Sequence, residues 1–328
     1  MNKKERVRAA LAGQPVDHPP IGFWGHDFLR EWSARDLADY HVERYRTYDD
    51  DFIKLNPRAT SFYEDWGNRY DRPDRQRQPA MLAHAVHSAE ELAALPEIDP
   101  TVGAFGEQRE ALRLLLAEVG GEVDVVQTVF SPISVAGRLM GPDLESFRSA
   151  ARTDPAAVHT GLQTITRVLI RYSRACLDAG AAGIFFATTD WGTSDNADED
   201  LYREFGRPYD LQTLYAVRDA PFNILHVCRA NNFLRLMYDY PVPVINWDTH
   251  GAGNDSLAEA LPRTRAAVMG GIDRQALLNA DPETVAEQAR EAVRSTGGRR
   301  VLLGPSCSDS PDAPPANLRA AVAAARGG

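Results

Sequence analysis

Cysteine is scarce. There are three in 328 residues, at positions 176, 228 and 307, too few and too scattered for a disulfide scaffold. No run of about 18 apolar residues occurs, so no transmembrane helix is expected. Positive charge is in deficit, 36 Lys+Arg against 46 Asp+Glu for a formal net charge of −10, which argues against non-specific nucleic-acid binding. Tandem repeats and low-complexity tracts are lacking. The opening Met1-Asn2-Lys3-Lys4-Glu5-Arg6 is charged, without the apolar stretch of a signal peptide. The expectation is a cytoplasmic protein that acts on a small molecule, with no nucleic-acid or membrane partner. Its thiols should stay reduced and free for metal or catalysis.

No composition break divides the chain. The Asp/Arg-rich stretch 70–78 reads as a surface loop, and the Pro/Ser-rich stretch 305–315 is short, so residues 1–328 read as one domain. Eight short apolar runs recur, at 20–24, 51–56, 123–130, 183–188, 222–228, 242–247, 266–272 and 300–304. Runs of this length bounded by turn residues suit strands buried on both faces. Helical patterns lie between them. Asp154-Pro155 and Asp281-Pro282 supply an N-cap followed by a proline in the first turn, and Gly180 and Gly297 sit where C-caps belong. Eightfold strand–helix alternation predicts an α/β fold, a single-domain (β/α)8 TIM barrel. A doubly wound open sheet is the alternative.

In such a barrel the active site lies at the C-terminal strand ends. Those ends carry His26 and Asp27, Asn56 and Arg58, Ser131, Thr189 and Asp190, His226 and Cys228, Asp248, and Cys307. The sharpest feature is His226-Val227-Cys228. Residues i and i+2 of a strand point to one side, so this His and Cys can approach one ion together. Imidazole and thiolate suit zinc, and Cys307 follows the last strand at the same mouth. A core histidine with buried, inert cysteines is the competing reading. Cys176, in the middle of a helical pattern, fits the inert class.

The segments Lys4-Glu-Arg-Val-Arg-Ala-Ala-Leu-Ala-Gly13, Pro15-Val-Asp-His-Pro-Pro20, Asp51-Phe-Ile-Lys-Leu-Asn-Pro-Arg58, Phe130-Ser-Pro-Ile133, Glu204-Phe-Gly-Arg-Pro-Tyr209, 241–248, Gly304-Pro-Ser-Cys307 and Pro314-Pro-Ala-Asn-Leu318 together resemble the uroporphyrinogen decarboxylase superfamily over nearly the whole chain. The resemblance implies a (β/α)8 barrel. The superfamily's decarboxylases carry an Arg-Gln-Ala-Gly-Arg segment near the N-terminus. Here that stretch reads Ile21-Gly-Phe-Trp-Gly-His-Asp-Phe28, so haem-pathway decarboxylation is not expected. Its corrinoid-dependent methyltransferases, of the methylcobamide:coenzyme M type, hold zinc through a His-x-Cys and a distant Cys. His226, Cys228 and Cys307 match that pattern.

Two departures stand out. The carboxylate that these enzymes commonly supply after the sixth strand is absent, because Asp248 is followed by Thr249, and Arg229 follows Cys228 where glycine is usual. Asp248 is therefore expected to be the catalytic carboxylate, as fourth ligand or as the group that orients His226. Asp248-Thr-His-Gly-Ala-Gly253 spells D-x-H-x-x-G, a corrinoid-binding signature, but inside the barrel and without its usual companions it reads as chance. Any cobalamin or other corrinoid should arrive on a separate protein. The expected activity is methyl (alkyl) transfer, zinc-dependent, from a corrinoid to a zinc-activated thiol. His26, Asn56, Arg58, Asp190 and Trp247 would contact substrate. The rivals are a metal-independent decarboxylase or lyase using Asp190 or Asp27 as acid, and a non-enzymatic zinc or corrinoid carrier.

Overall fold

A computed structural model describes residues 1–327. In chain order its strands are β1 (Phe52–Leu55), β2 (Arg69–Tyr70), β3 (Met81–Ala83), β4 (Asp124–Phe130), β5 (Gly183–Ala187), β6 (Ile224–Val227), β7 (Val244–Trp247), β8 (Ala267–Ile272) and β9 (Val301–Pro305). Seven of them form one parallel sheet in the order β1-β4-β5-β6-β7-β8-β9, while β2 and β3 make a separate antiparallel pair. Every residue of β1, β5, β6, β7, β8 and β9 is buried. That double-sided burial explains why these strands read as continuous apolar runs rather than alternating ones.

The sheet curls around its own core. Phe52, Val126, Phe185, Ile224, Val244, Met269 and Leu302, one from each of the seven strands, pack together with Trp24. A larger apolar layer lies between the outer face of the sheet and the helices. The strand parity follows. On β1 the inward series is Phe52, Lys54 and then Asn56; on β6 it is Ile224, His226 and then Cys228; on β7 it is Val244 and Asn246. At the C-terminal ends of these three strands polar side chains enter the interior.

The run at 20–24, expected as a first strand, forms no ladder. It makes single parallel bridges, Ile21 with Leu303 and Gly25 with Asp309. Leu303 N donates to Pro20 O at 2.7 Å, Gly22 N to Leu303 O at 3.2 Å, and Asp51 N to Ile21 O at 2.8 Å. Consequently the segment touches β9 on one side and the start of β1 on the other. Two features limit it to bridges. Pro19 and Pro20 have no N–H to donate. The Ile21 N–H is drawn to the Asp51 carboxylate at 3.0 Å, which also pairs with Arg6 at 2.6 Å. Gly22 lets the segment approach: a Cβ there would fall 2.9 Å from the Phe52 ring.

The helices start where their caps predict. Asp154 accepts from Ala157 N at 3.0 Å and opens the helix Pro155–Asp178. Asp281 accepts from Thr284 N at 2.8 Å and opens Pro282–Thr296, which Gly297 ends in the left-handed region at φ 65°. Cys176 is fully buried in the first of these helices, and burial pushes its thiol up to about 12.

Candidate metal centre

A cavity of about 680 Å³ opens at the C-terminal ends of the strands. His226 reaches it from β6, Cys228 from the residue just past β6, and Cys307 from the loop after β9. Their potential ligand atoms all lie within 4.8 Å of one another. The Cys228 and Cys307 sulfurs are 3.7 Å apart. Two Zn–S bonds of about 2.3 Å at a tetrahedral angle put sulfurs about 3.8 Å apart, so the spacing fits one zinc ion held by both.

The histidine is held in place as well. Its Nδ1 lies 2.6 Å from Asn246 Oδ1, its cross-strand neighbour in the β6–β7 register. Asn246 Nδ2 donates to Met269 O at 3.0 Å and Pro305 O at 3.4 Å. Those carbonyls fix which end of the amide faces the imidazole, so Nδ1 carries the proton and Nε2 is left with a free lone pair that could serve a metal. The imidazole also stacks on Phe185, with ring centroids 5.2 Å apart. Hydrogen bonding from Cys228 draws the Cys307 thiol well below its usual range, with help from His226. The same proton held between two buried sulfurs raises Cys228.

The other anticipated residues divide. His26, Asn56 and Asp190 line the cavity. Asn56 Nδ2 donates to Gly25 O at 2.9 Å, and its Oδ1 accepts from Lys54 Nζ. Asp190 is clamped by Arg138 at 3.1 Å and by Arg229. Arg229 itself sits at φ 74°, which explains why glycine is the easier residue after such a cysteine. Arg58, Trp247 and Asp248 do not line the cavity. Arg58 is buried between Glu64 and Glu107, both at 2.9 Å, with its guanidinium 4.9 Å from the Trp32 ring centroid. Trp247 has the opposite strand parity to Asn246, is fully buried, and donates to Asp255 O at 2.7 Å. Asp248 caps its own turn by accepting from His250 N at 3.1 Å, and burial raises its carboxyl. It is not in the ligand cluster, and Asn246 holds the orienting contact to His226 in its place. His250 of the D-x-H-x-x-G motif is tied to Gly271 O at 3.0 Å. Asp27 accepts from Gln76 at 2.8 Å, away from the cavity.

Sequence reasoning missed Asn246, Lys54, Glu31, Arg274 and Asp309. Lys54, Glu31, Arg274 and Asp309 line the cavity, and Asn246 lies behind His226. For Asn246 and Lys54 a signal existed, a polar residue at inward parity inside an otherwise apolar run.

A family model for uroporphyrinogen decarboxylase (URO-D) matches residues 2–327. The chain belongs to the uroporphyrinogen decarboxylase family. Within this family it is similar to the methylcobamide:CoM methyltransferase MtbA of Methanosarcina acetivorans, 24% identical over 343 residues that cover 98% of this chain and 97% of that one. It is also similar to the uroporphyrinogen decarboxylase of Nocardia farcinica, 28% identical over 232 residues that cover 68% of this chain and 62% of that one. Among solved structures, a methyltransferase from Methanosarcina mazei superposes with a TM-score of 0.87 at 23% identity, covering 99% of this chain and 98% of that one. The family relatives are thus enzymes of two kinds, methyltransferases and decarboxylases. No helix among the described residues is long and apolar enough to cross a membrane.

Proposed function

We propose that this chain is a zinc-dependent methyl (alkyl) transferase that carries a methyl group from a corrinoid to a thiol, in one (β/α)8 domain over residues 1–328. Segment 20–25 is its eighth staff, closing the ring between β9 and β1. The observation that carries the reading is the His226–Cys228–Cys307 cluster, with its 3.7 Å sulfur spacing and its imidazole locked by Asn246. Three soft ligands leave the fourth tetrahedral position for a substrate.

When bound, zinc lowers the pKa of a coordinated thiol, so the acceptor is a nucleophile at neutral pH. The chain supplies the rest. His226, Cys228 and Cys307 hold the ion, and Asn246 keeps His226 in the ligating tautomer. Arg229 and Arg274 place positive charge near the two sulfurs. His26, Lys54 and Asn56 give the cavity a polar floor, while Phe130, Tyr63 and Met81 give it an apolar wall. The corrinoid comes on a separate protein, and the setting is cytoplasmic. The decarboxylase alternative asks Asp190 to act as an acid, but that carboxylate is engaged by two arginines.

The test is metal analysis of the purified protein followed by demethylation of methylcobalamin with coenzyme M as acceptor. One zinc per chain and thiol-dependent loss of the methyl group are expected. Protein without stoichiometric metal, or thiol-independent turnover, overturns the reading.

A further inference from the structure

A second pair of functional groups sits in the same cavity outside the ligand set. Glu31 is 2% exposed, and its Oε1 lies 2.6 Å from His26 Nδ1. Both residues line the cavity. The His26 ring stacks on Phe28, centroids 4.8 Å apart and 8° from parallel. Nδ1–H therefore donates to Glu31. Nε2 is the free nitrogen, and no side chain or backbone group among the described residues hydrogen-bonds it. A buried carboxylate is costly unless it is paired, and His26 is the partner this one has.

The pair is joined to the metal loop through the backbone. Gly25, just before His26, bridges to Asp309, two residues after Cys307. Asp309 N donates to Trp24 O at 2.9 Å. Any side chain at Gly25 would overlap the Asp309 carboxylate, so the two loops meet as closely as backbone allows.

We propose that His26, held by Glu31, is the base that takes the proton of the acceptor thiol. This rests on the methyl-transfer reading. The thiol S–H bond breaks, an N–H bond forms at His26 Nε2, and the electron pair stays on sulfur. That pair then forms the sulfur–carbon bond while the cobalt–carbon bond of the methylated corrinoid breaks, its electrons remaining on cobalt. After the thioether leaves, His26 returns the proton to solvent. Glu31 is a positioning residue: it holds Nδ1–H and so fixes the tautomer that leaves Nε2 free. The other titratable groups around the pair are Asp309 from the Cys307 loop, Lys54 from β1 and His41 from the helix Ala34–Tyr48.

The experiment counts protons. Zinc-loaded protein is titrated with coenzyme M near neutral pH, by calorimetry in buffers of different ionisation enthalpy. The wild-type protein is expected to keep most of the thiol proton, whereas His26→Gln should release about one proton to buffer per thiol bound. Glu31→Gln, which keeps a hydrogen-bond acceptor but loses the charge, should release an intermediate number. Zinc content should be equal in all three. Equal proton release by wild type and His26→Gln, with thiol bound to both, overturns the role of the pair and leaves the metal reading standing. Failure of the zinc-loaded wild type to bind the thiol at all overturns both.

Discussion

Replacing Asn246 by alanine isolates the contact that, on the proposed zinc reading, makes a buried histidine a ligand. In the wild-type protein the amide oxygen accepts a hydrogen bond from His226 Nδ1–H at 2.6 Å, and the amide nitrogen donates to Met269 O and Pro305 O. Alanine leaves the Nδ1–H without a partner in a site that is fully buried at Asn246 and 4% exposed at His226. A buried donor left unpaired costs about 1–3 kcal/mol. That cost can be relieved if the imidazole rotates or changes tautomer, and either movement takes Nε2 off the ion. Zinc affinity should therefore fall by about 10–100-fold, the usual penalty for losing such a partner. Competition against a chromophoric chelator measures it, with far-UV circular dichroism to confirm the fold. Cys228→Ser, which removes a ligand outright, should fall further and sets the scale. An Asn246→Ala affinity within about twofold of wild type, below 0.5 kcal/mol, would refute the argument that this amide orients the metal ligand.

Three more outcomes follow from the geometry. Asp248→Ala should keep its zinc and its activity, because the carboxylate caps a turn away from the cavity; loss of metal in that variant would restore Asp248 as a ligand. Arg58→Ala should lower stability by about 2 kcal/mol in a urea melt, by leaving Glu64 and Glu107 without their shared partner, while KM for the thiol stays unchanged; a raised KM with normal stability would return Arg58 to the substrate site. Asp210 is fully buried against Tyr202 and Tyr240, and burial pushes its carboxyl from 3.8 up to about 7. The fold therefore holds a proton that the unfolded chain gives up, so stability is highest at low pH for this group and falls by about 4 kcal/mol as pH rises from about 4 to about 7. Asp210→Asn should flatten that slope, and an unchanged slope in urea midpoints across this range would assign it elsewhere.

Strand parity made part of the site legible in the sequence. His226 and Cys228 share a side because they stand two positions apart at the end of one strand, and Cys307 follows a strand whose end faces the same mouth. The same parity puts Lys54 and Asn56 inward, and puts Asn246 inward at the cost of Trp247. Apolar neighbours masked it, since a run such as Val244-Ile-Asn-Trp247 reads as uniformly buried when both faces of the sheet are covered. Past the strand ends parity holds for Asn56 and Cys228 but not beyond. Arg58 sits three residues past β1, in the loop, and Asp248, one residue past β7, is turned to the His250 N–H. Glu31 lies in the irregular stretch after residue 25, where no period points to it. The first apolar run was legible as extended chain, but not its reduction to single bridges, because that depends on Asp51 taking the Ile21 N–H.

The bridges between segment 20–25 and the stretch 303–309 also set an order of assembly. As the chain emerges during synthesis, His226, Cys228 and their support Asn246 can come together on adjacent strands while the C-terminal stretch is still unmade. The third member of the cluster exists only once Cys307 has been added, and Asp309 must then find Gly25, far earlier in the sequence. On the proposed zinc reading, a three-residue grip on the ion is thereby coupled to synthesis past Cys307, and a nascent or truncated chain ending before Val301 would offer only His226 and Cys228.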